Sequence, residues 1–376
     1  MSLYLDYNAS APVLKEVLEA MIYAYTHVTG NADSRTHNFG TNAQKYVQDC
    51  RTQIASILGI DAAELLFTSG STESNNMAVL GMANWARAND KTHIVTTAIE
   101  HKAILEPLRR LESQGFQVDY VKPGENGRVS ADEVLSLVSD KTALVSVMYV
   151  NSETGIIQPV QEIGSELKQR GVYFHIDATQ ALGKLNHEIR RTSCDMMSLA
   201  AHKIGGPQGI GAFILKRGRD FRRPPVEPLM FGGPQERGYR PGTTPVALIG
   251  GFAEAVKLAE QRHDAAMGRC ADIKAQFMKA ISGMDYQING DPDYCLPTTI
   301  NISFTGLDAE AAFLCLGDQY AFSNGSACNS SGHKLSYVLE AMGLDEQRRA
   351  EAIRLSWDGS APVDFEPFVQ IIRSIV

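Results

Sequence analysis

Between residues 65 and 215, short apolar runs alternate with amphipathic stretches along the chain. The apolar run at 145–150 is rich in β-branched residues, which is typical of a strand covered on both faces. Apolar side chains recur at helical spacing over 42–58 and over 104–111, which predicts two amphipathic helices. This alternation predicts an α/β domain with a mostly parallel sheet. The predicted strands end near Thr68, Thr97, Val121, Tyr149, Ile176, Leu199 and Leu215.

The pattern changes after Pro245, because residues 246–282 lack proline and predict one or two long helices. Since 376 residues exceed what one compact core usually holds, we predict two domains. A large α/β domain is expected at 13–260, and a smaller α+β domain at 1–12 and 261–376, with the long helix joining them. The smaller domain is predicted to contain a strand at 299–304, a helix at 308–316, a glycine-bearing turn at 323–328, a helix at 336–342, a strand at 352–357 and a last helix.

Composition narrows the functional classes. Apolar residues make up 44% of the chain, so a sizeable core is available, and the net charge of −8 gives no basic surface for gripping nucleic acid. The first residues show no basic segment followed by an apolar core, and no stretch approaches the roughly 20 apolar residues that span a bilayer. We expect a soluble, cytoplasmic protein with no direct nucleic-acid partner and no membrane partner.

Six cysteines are scattered along the chain without a C-x-x-C pair. In a cytoplasmic chain of this size we expect neither a disulfide framework nor a metal site, and most of the cysteines should be small buried residues. Cys328 differs, because it lies in a polar, glycine-bearing segment beside His333 and Lys334. Such surroundings are typical of a reactive thiol, although an incidental loop cysteine is the ordinary alternative.

Two motifs follow early predicted strands. At 67–76 the sequence Phe-Thr-Ser-Gly-Ser-Thr-Glu-Ser-Asn-Asn ends a strand and begins a helix, so Ser71, Thr72 and nearby backbone N–H groups could cradle an anion. An ordinary helix cap is the alternative, and the lack of Gly-Lys-Ser/Thr excludes a Walker motif. His101 opens the helix after the next strand, where it either stacks on a flat ring or makes only a local hydrogen bond.

Two more motifs follow later strands. Asp177 ends an apolar strand in His-Ile-Asp-Ala-Thr-Gln, at the edge where open α/β sheets bind ligands. A carboxylate there could keep a pyridinium nitrogen protonated. Lys203 follows 26 residues later, between a strand and Gly-Gly-Pro, on a tight turn that suits a Schiff-base lysine. A helix cap and a surface lysine are the ordinary alternatives.

In this joint order the motifs resemble the cysteine desulfurases, a class V aminotransferase branch of the fold-type I pyridoxal-5'-phosphate (PLP) enzymes. The similarity runs from Leu5-Asp6-Tyr7-Asn8-Ala9 to the last helix. It is most specific at Ala201-His202-Lys203, at the cradle 68–73, at Gly-Ser-Ala-Cys 325–328 and at Ser-Tyr-Val-Leu 336–339. The resemblance implies the PLP-dependent transferase fold, PLP as cofactor in the large domain, and a homodimer. It also implies that the small domain carries the catalytic cysteine.

The resemblance assigns roles to individual residues. Lys203 would form the Schiff base, His101 would stack on the PLP ring and take part in catalysis, and Cys328 would receive the sulfur. Thr243 would reach a phosphate across the dimer interface. The implied cofactor-binding set is Ser71 and Thr72 at the cradle, His101, Asp177 at the ring nitrogen, Gln180 at the phenolic oxygen, His202 at the phosphate, Lys203 and Thr243.

Substrate recognition follows from the same resemblance. Asn151 and Arg354 would grip the substrate carboxylate, and the planar fork of arginine matches a carboxylate bidentately. L-cysteine would displace Lys203 from PLP, and the freed amine would remove the Cα proton. The Cys328 thiolate would then take the sulfur as a persulfide, L-alanine would leave, and a protein acceptor would receive the sulfur.

Two departures from the family pattern matter. Where the family usually has a phosphate-binding serine, two residues before the His-Lys pair, this chain has Ala200. The chain also ends at Val376, without the tail by which iron–sulfur desulfurases dock a scaffold protein, so we expect a dedicated sulfur-transfer system. Seven residues separate Cys328 from Ser336, as in the subgroup whose cysteine swings between substrate and acceptor.

Several functions remain open from the residues. A selenocysteine lyase or another class V PLP aminotransferase or lyase is the nearest alternative, although an aminotransferase needs no loop cysteine. A PLP-fold protein that only scaffolds a partner is the alternative from another class. The sulfur could go to iron–sulfur clusters, to tRNA thiolation or to phosphorothioate modification of DNA.

Overall fold

The computed structural model describes residues 3–218, 222–317, 319–323 and 335–376. Cys328 therefore lies outside the described residues. The helices are α1 (Lys15–His27), α2 (Asn38–Leu58), α3 (Ser71–Leu80), α4 (Ala83–Ala88), α5 (Lys102–Glu112), α6 (Ala131–Ser136), α7 (Val160–Arg170), α8 (Asn186–Arg191), α9 (Val246–Ala280), α10 (Ala309–Leu316), α11 (Tyr337–Ala341), α12 (Glu346–Ala350) and α13 (Glu366–Ile375). The strands are β1 (Leu3–Tyr4), β2 (Leu65–Thr68), β3 (His93–Thr97), β4 (Gln117–Val121), β5 (Thr142–Met148), β6 (Tyr173–Asp177), β7 (Met196–Ala200), β8 (Gly211–Leu215), β9 (Tyr286–Ile288), β10 (Thr299–Phe304), β11 (Tyr320–Ala321) and β12 (Ala352–Ser356).

A seven-stranded sheet forms the centre of the molecule, in the order β2-β8-β7-β6-β5-β3-β4. Strand β8 runs antiparallel to both of its neighbours, and the remaining pairs are parallel. Every residue of β5 is buried, as expected for a central strand covered by helices on both faces. The prediction of a mostly parallel α/β sheet is therefore confirmed, and each predicted strand end lies within one residue of the observed one.

The amphipathic helix predicted at 42–58 is α2, and it begins four residues earlier than predicted. His37 caps its start, because the imidazole Nδ1 accepts a hydrogen bond from the Gly40 backbone N–H at 3.1 Å. The helix ends at Gly59, which has a φ of 67°. Glycine adopts this left-handed conformation without the strain that a Cβ would add.

A second, smaller sheet has the antiparallel order β12-β10-β9. It packs over its own apolar core, which includes Leu5 from the amino terminus. The predicted strands at 299–304 and 352–357 and the helix at 308–316 are confirmed as β10, β12 and α10. The short strands β1, β9 and β11 were not predicted, because two or three residues give no measurable alternation.

Helix α9 is one continuous helix of 35 residues that belongs to both cores. Its first half contributes Ile249, Phe252 and Val256 to the core of the large sheet. Its second half contributes Cys270 and Phe277 to the core of the small sheet. At 1.5 Å per residue the helix is about 50 Å long, so it links the two sheets as expected. The exact domain boundaries at 12/13 and 260/261 remain a prediction.

Helix α11 crosses back onto the large sheet. Its Val338 and Leu339 pack with Ile99 and Met148, which lie beyond or at the ends of β3 and β5. The polypeptide that follows the segment 324–334 is therefore attached to the same edge of the sheet at which Asp177 ends β6. None of the described helices combines the length and the apolar character needed to cross a membrane.

Candidate active site

A cavity of about 290 Å³ opens at the carboxyl ends of the central strands. Its wall is formed largely by residues that follow β3, β5, β6 and β7, four neighbours in the sheet. Ligands of open α/β sheets bind at this edge. The structure places these predicted site residues on the wall: Ser71, Thr72, His101, Asp177, Gln180, His202, Lys203 and Arg354.

Asp177 presents a carboxylate whose orientation is fixed at both oxygens. Asn75 Nδ2 donates to Oδ2 at 2.7 Å, and the backbone N–H of Thr179 donates to Oδ1 at 3.0 Å. A carboxylate has about four acceptor positions, so it can still accept from a protonated ring nitrogen in the cavity. The side chain is buried, which strengthens such a charge-assisted bond.

His101 makes the local hydrogen bond considered for it, and it also lies on the cavity wall. It is the N-cap of α5, where Nδ1 accepts a hydrogen bond from the Ala103 backbone N–H at 3.0 Å. This bond leaves the proton of a neutral imidazole on Nε2. The ring also lies on the cavity wall. A locally satisfied histidine is therefore held in one orientation where it can contact a flat ligand.

Lys203 ends a short 3-10 turn that follows β7 directly. Its Nζ donates to the backbone oxygens of Asn8 at 2.6 Å and Ala9 at 2.7 Å. The turn is tight, because a Cβ on Gly206 would lie 2.8 Å from the Ala201 oxygen. The glycines after the lysine thus allow the tight turn predicted from the sequence, and Lys203 lies on the cavity wall.

Gln180 lies beside Lys203 with both ends of its amide bonded. Its Nε2 donates to the Asn8 oxygen at 2.9 Å, and its Oε1 accepts from Lys184 Nζ at 2.9 Å. Burial, followed by the charge of Lys203, lowers the pKa of Lys184 to about 7. Because the Asn8 backbone oxygen only accepts, it orients the Gln180 amide with its Nε2 toward Asn8 and its Oε1 toward Lys184.

Ser71 and Thr72 lie at the first turn of α3, on the cavity wall. Gly70 precedes them with a φ of 152°, which favours glycine. The N–H groups of a first helical turn have no partner within the helix and attract anions. His202 lies on the same wall, and burial, followed by the charges of Lys203 and His101, lowers its pKa to about 4. It is therefore a neutral donor near pH 7.

Thr243 is exposed and is not among the described residues that line the cavity. The loop before it is tied to the chain's own cradle, since Arg240 Nε contacts Glu73 Oε1 at 3.2 Å. Glu73 in turn accepts from the Ser69 backbone N–H at 2.6 Å. The loop thus holds Thr243 at the surface beside a cradle without directing it into the cavity of its own chain.

Arg354 comes from the small sheet and is almost completely buried. Its Nη1 donates to the Ser152 oxygen at 3.0 Å, and its Nη2 bonds Asp6 Oδ1 at 2.5 Å. Its Nε has no hydrogen-bond partner among the described residues. A guanidinium carries five N–H donors, so donors remain for a ligand carboxylate at this wall.

Asn151, the other residue expected at the substrate carboxylate, is directed elsewhere. Its Oδ1 accepts from the backbone N–H groups of Glu153 at 2.8 Å and Thr154 at 3.0 Å. Its Nδ2 donates to the Ile99 oxygen at 3.1 Å. It is not among the described residues on the cavity wall. In this structure Asn151 shapes the turn that carries Ser152 and Glu153, and a direct substrate contact stays a prediction.

The wall fits PLP. Three of its residues carry buried polar atoms without a partner among the described residues: Arg354 Nε, Thr179 Oγ1 and Asn8 Oδ1. Buried polar groups are normally paired, so these atoms indicate a polar ligand. The wall offers an amine for a covalent link, a carboxylate for a ring nitrogen, an imidazole for stacking and a helix start for a phosphate.

Three charged residues near the cavity were not predicted: Glu100 and Glu153, which are buried, and Lys184, which is partly buried. Glu100 accepts from Thr97 Oγ1 at 2.7 Å and the Met148 backbone N–H at 2.8 Å, and burial raises its pKa to about 8. Glu153 lies on the wall itself, and Lys184 lies behind Gln180. Glu153 lies in a polar stretch, whereas Glu100 and Lys184 have apolar neighbours in the sequence, and for none of the three does the sequence show what surrounds the side chain. The one available signal is that Glu100 directly precedes His101.

The five cysteines in the described residues are all free. Burial raises the pKa of Cys50 to about 11 and that of Cys270 to about 12, and it also raises the pKa of Cys194 and Cys295. These four thiols are therefore poor nucleophiles near neutral pH. Cys315 is exposed on α10.

The family model described as aminotransferase class-V matches residues 3–356. The fold and the site therefore define a member of the class-V aminotransferases, and PLP is the cofactor.

Comparison with individual proteins narrows this class. The chain is 40% identical over 359 residues to cysteine desulfurase IscS of Photorhabdus laumondii subsp. laumondii, which covers 95% of this chain and 88% of that protein. The crystal structure of DndA from Streptomyces lividans matches with a TM-score of 0.82 at 41% identity, over 95% of this chain and 99% of that one. SspA in complex with cysteine matches with a TM-score of 0.82 at 34% identity, over 96% and 99%. The chain belongs to the cysteine desulfurase family, and the family resemblance found in the sequence is confirmed.

Proposed function

We propose that this protein removes the sulfur of L-cysteine, releases L-alanine and holds the sulfur as a persulfide on Cys328. The observation that carries the proposal is the convergence of Lys203, Asp177 and Arg354 on one cavity wall. An amine, a ring-directed carboxylate and a buried guanidinium are what an amino-acid substrate bound to PLP requires. The name of the desulfurase relative and the cysteine bound to SspA support L-cysteine as the amino acid.

Arg354 is proposed to bind the substrate carboxylate. Asp6 and Ser152 hold two of its nitrogens, so its rotamer is set before substrate arrives. Glu153 shapes the same wall and neutralises part of the positive charge.

Lys203 is proposed to move the proton at the substrate Cα. The oxygens of Asn8 and Ala9 hold its Nζ at the cavity, and both come from the amino-terminal segment. PLP, when bound, supplies the electron sink that lowers the barrier to this proton removal. Asp177 would keep the ring nitrogen of bound PLP protonated, and His101 would orient the ring.

Cys328 is proposed to take the sulfur. Its thiolate forms an S–S bond with the substrate sulfur while the Cβ–S bond breaks, and the electron pair stays with the carbon skeleton that leaves as L-alanine after protonation. The raised pKa values of Cys50, Cys194, Cys270 and Cys295 disfavour those thiols for this step.

Mass spectrometry tests the assignment. After incubation with L-cysteine, the wild-type peptide containing Cys328 should gain one sulfur, and L-alanine should form in equal amount at first turnover. Cys328→Ser should abolish both, while the matched variant Cys315→Ser should retain both. Sulfur on Cys315, or normal turnover by Cys328→Ser, would contradict the assignment.

We further propose a cytoplasmic homodimer in which Thr243 completes the phosphate site of the partner copy. Support comes from the exposed position of Thr243 on a loop anchored beside the cradle. Sedimentation should give a dimer, and Thr243→Ala should weaken PLP binding several-fold, the loss of about one hydrogen bond. An active monomer would contradict this. A protein acceptor for the persulfide is also proposed, and a pull-down of proteins that become sulfur-labelled would identify it.

A further inference from the structure

Ser336 is the N-cap residue of α11, eight residues after Cys328 in the chain, and it is buried. Its Oγ accepts a hydrogen bond from the Leu339 backbone N–H at 3.1 Å, which caps α11. The same hydroxyl donates to Glu153 Oε2. Ser336 is not among the described residues that line the cavity, whereas Glu153 is. One hydroxyl therefore connects the start of α11 to the cavity wall.

Glu153 is held rigidly for this contact. Its backbone N–H donates to Asn151 Oδ1 at 2.8 Å, and its backbone oxygen accepts from Asn301 Nδ2 at 3.1 Å. The neighbouring Ser152 oxygen accepts from Arg354 Nη1. The residue that contacts Ser336 thus lies on the turn that also fixes the arginine proposed to bind the substrate carboxylate.

The two ends of the segment 324–334 both lead to this region. Before the segment, Ser323 pairs with Arg354 through two backbone hydrogen bonds of 3.2 and 2.6 Å. After it, Tyr337 Oη donates to the Glu100 oxygen at 2.7 Å, next to the Ser336–Glu153 contact. The polypeptide that carries Cys328 is therefore anchored at each end to the part of the cavity wall that contains Arg354 and Glu153, called the substrate wall below.

The Glu153 carboxyl faces several charged groups. Arg354 approaches it from β12, and His101 and Lys102 approach it from the start of α5. Burial raises its pKa to about 7, although the Ser336 hydrogen bond and the nearby Arg354, Lys102 and His101 side chains act in the opposite direction. The carboxyl is therefore ionised and accepts the Ser336 hydroxyl at pH 8, whereas it is largely protonated at pH 6.

We propose that Glu153 and Ser336 form a positioning pair for the sulfur-transfer step, because their hydrogen bond fixes the point at which the polypeptide carrying Cys328 leaves the substrate wall. This inference rests on the proposed role of Cys328. Neither residue takes part in the bond changes, and the pair acts through the placement of the thiol. Loss of the pair should therefore slow sulfur transfer and leave substrate binding to the cofactor intact.

Substitution of Ser336 tests the pair, because two replacements retain the helix cap. Ser336→Thr keeps the cap and the hydroxyl. Ser336→Asp keeps the cap but sets a carboxylate against Glu153. In the double variant Ser336→Asp/Glu153→Gln, the glutamine amide can donate to the new carboxylate. Ser130→Asp is the control for a cap replacement alone, since Ser130 caps α6 and is exposed.

Two rates are measured in a single turnover: the change in cofactor absorbance on adding L-cysteine, and the appearance of sulfur on the Cys328 peptide. At pH 8, Ser336→Asp should slow the second rate about tenfold and the first less than about twofold, because two carboxylates repel. At pH 6 the defect should shrink to about threefold or less, since a protonated Glu153 can donate. Ser336→Thr and Ser130→Asp should match wild type in both rates.

The double variant gives the decisive result. Relative to Glu153→Gln alone, it should transfer sulfur within about threefold, because the amide–carboxylate bond restores the contact. In the apoprotein, the rate at which iodoacetamide alkylates Cys328 should differ from the wild-type rate in Ser336→Asp. In the double variant it should return to the wild-type rate. The proposed positioning pair would be refuted if Ser336→Asp transferred sulfur at the wild-type rate at pH 8. It would also be refuted if the double variant transferred sulfur much more slowly than Glu153→Gln alone. Absence of sulfur on Cys328 in wild type would instead overturn the proposed function.

Discussion

The two sides of the cavity are built in different ways. On the side proposed to bind PLP, His101 and Asp177 each have a partner close in sequence, Ala103 and Thr179. Two of the groups on this side also have distant partners, since Asp177 accepts from Asn75 and Lys203 donates to Asn8. On the side proposed to bind substrate and accept sulfur, the partners are distant. Arg354 bonds Asp6 across 348 positions, and Ser336 bonds Glu153 across 183. The first side combines short motifs with a few long-range contacts, and the second exists only when the whole chain is folded.

The largest effect is expected on the PLP side, from Lys203→Ala. Without the amine there is neither a covalent link to PLP nor a proton acceptor at the substrate Cα, so activity should fall by at least about a thousandfold. The visible absorbance of the bound cofactor should be lost as well. Absorbance spectra and L-alanine release provide the measurement.

A matched lysine serves as the control for that variant. Lys216 is also partly buried, but its Nζ lies 3.4 Å from the Thr192 oxygen, remote from the cavity wall. Lys216→Ala should keep both the absorbance and the activity. Sulfide release by Lys203→Ala at the wild-type rate would refute the assignment of the PLP side.

On the side proposed to bind substrate, substitution of Arg354 should weaken L-cysteine binding the most. Arg354→Lys keeps the charge but cannot hold Asp6, Ser152 and a substrate carboxylate at once. Loss of a bidentate charge-assisted contact should raise the KM for L-cysteine about a hundredfold. The dissociation constant of PLP should change less than about threefold, because the two sides are independent.

Arg348→Lys is the comparison variant for this prediction. Arg348 lies on α12, where it bonds Asn289 Oδ1 and the Ile288 oxygen at the edge of the small sheet, away from the cavity wall. Its replacement should leave KM unchanged. An equal rise of KM in both variants would mean that Arg354 acts only through the stability of the small sheet.

Glu100 lies between the two sides of the cavity. Its substitution should have a smaller effect, on the free energy of unfolding. Its pKa is about 8 in the folded protein, against an ordinary value near 4.5, and burial is the main cause. Between these two values the folded state holds a proton that the unfolded state has lost, so stability falls as the pH rises from about 4.5 to 8. Glu100→Gln should remove this loss, roughly 2–4 kcal/mol of unfolding free energy.

Urea unfolding at pH 5 and pH 8 measures that difference. The advantage of Glu100→Gln over wild type should grow with pH, while the exposed Glu346→Gln should give none. An advantage that does not depend on pH would show that Glu100 is ionised in the folded protein.

The smallest effect is expected from Ala200→Ser, back on the PLP side. Ala200 pairs with Gly211 in the sheet, and a Cβ on Gly211 would lie 2.7 Å from Gly70 Cα, so the position is close to the cradle. A hydroxyl there should add one hydrogen bond to the phosphate. Because one hydrogen bond contributes about 1 kcal/mol, the affinity for PLP should rise about fivefold. Equilibrium titration of the apoprotein with PLP gives the number, and an unchanged affinity would mean that the hydroxyl does not reach the phosphate.

The same contrast explains what the sequence could predict. Strand ends, the tight turn after Lys203 and the helix start at His101 depend on local patterns, and the structure places these residues on one wall. Glu153 could not be recognised, because Asn-Ser-Glu-Thr-Gly has the composition of an exposed turn. Its burial depends on Ser336 and Asn301, which lie far away in the chain. Lys184 was missed for the same reason, since only the folded chain shows what surrounds it.

The continuity of helix α9 affects how the protein unfolds. Its hydrogen-bonded backbone runs without interruption from Ile249 in one core to Phe277 in the other. If either core melted, half of the helix would lose the apolar contacts that keep it folded, since isolated helices are marginal in water. The fraying would then spread along the helix toward the surviving core. The two sheets are thus coupled in folding, and calorimetry of the apoprotein should show a single cooperative transition.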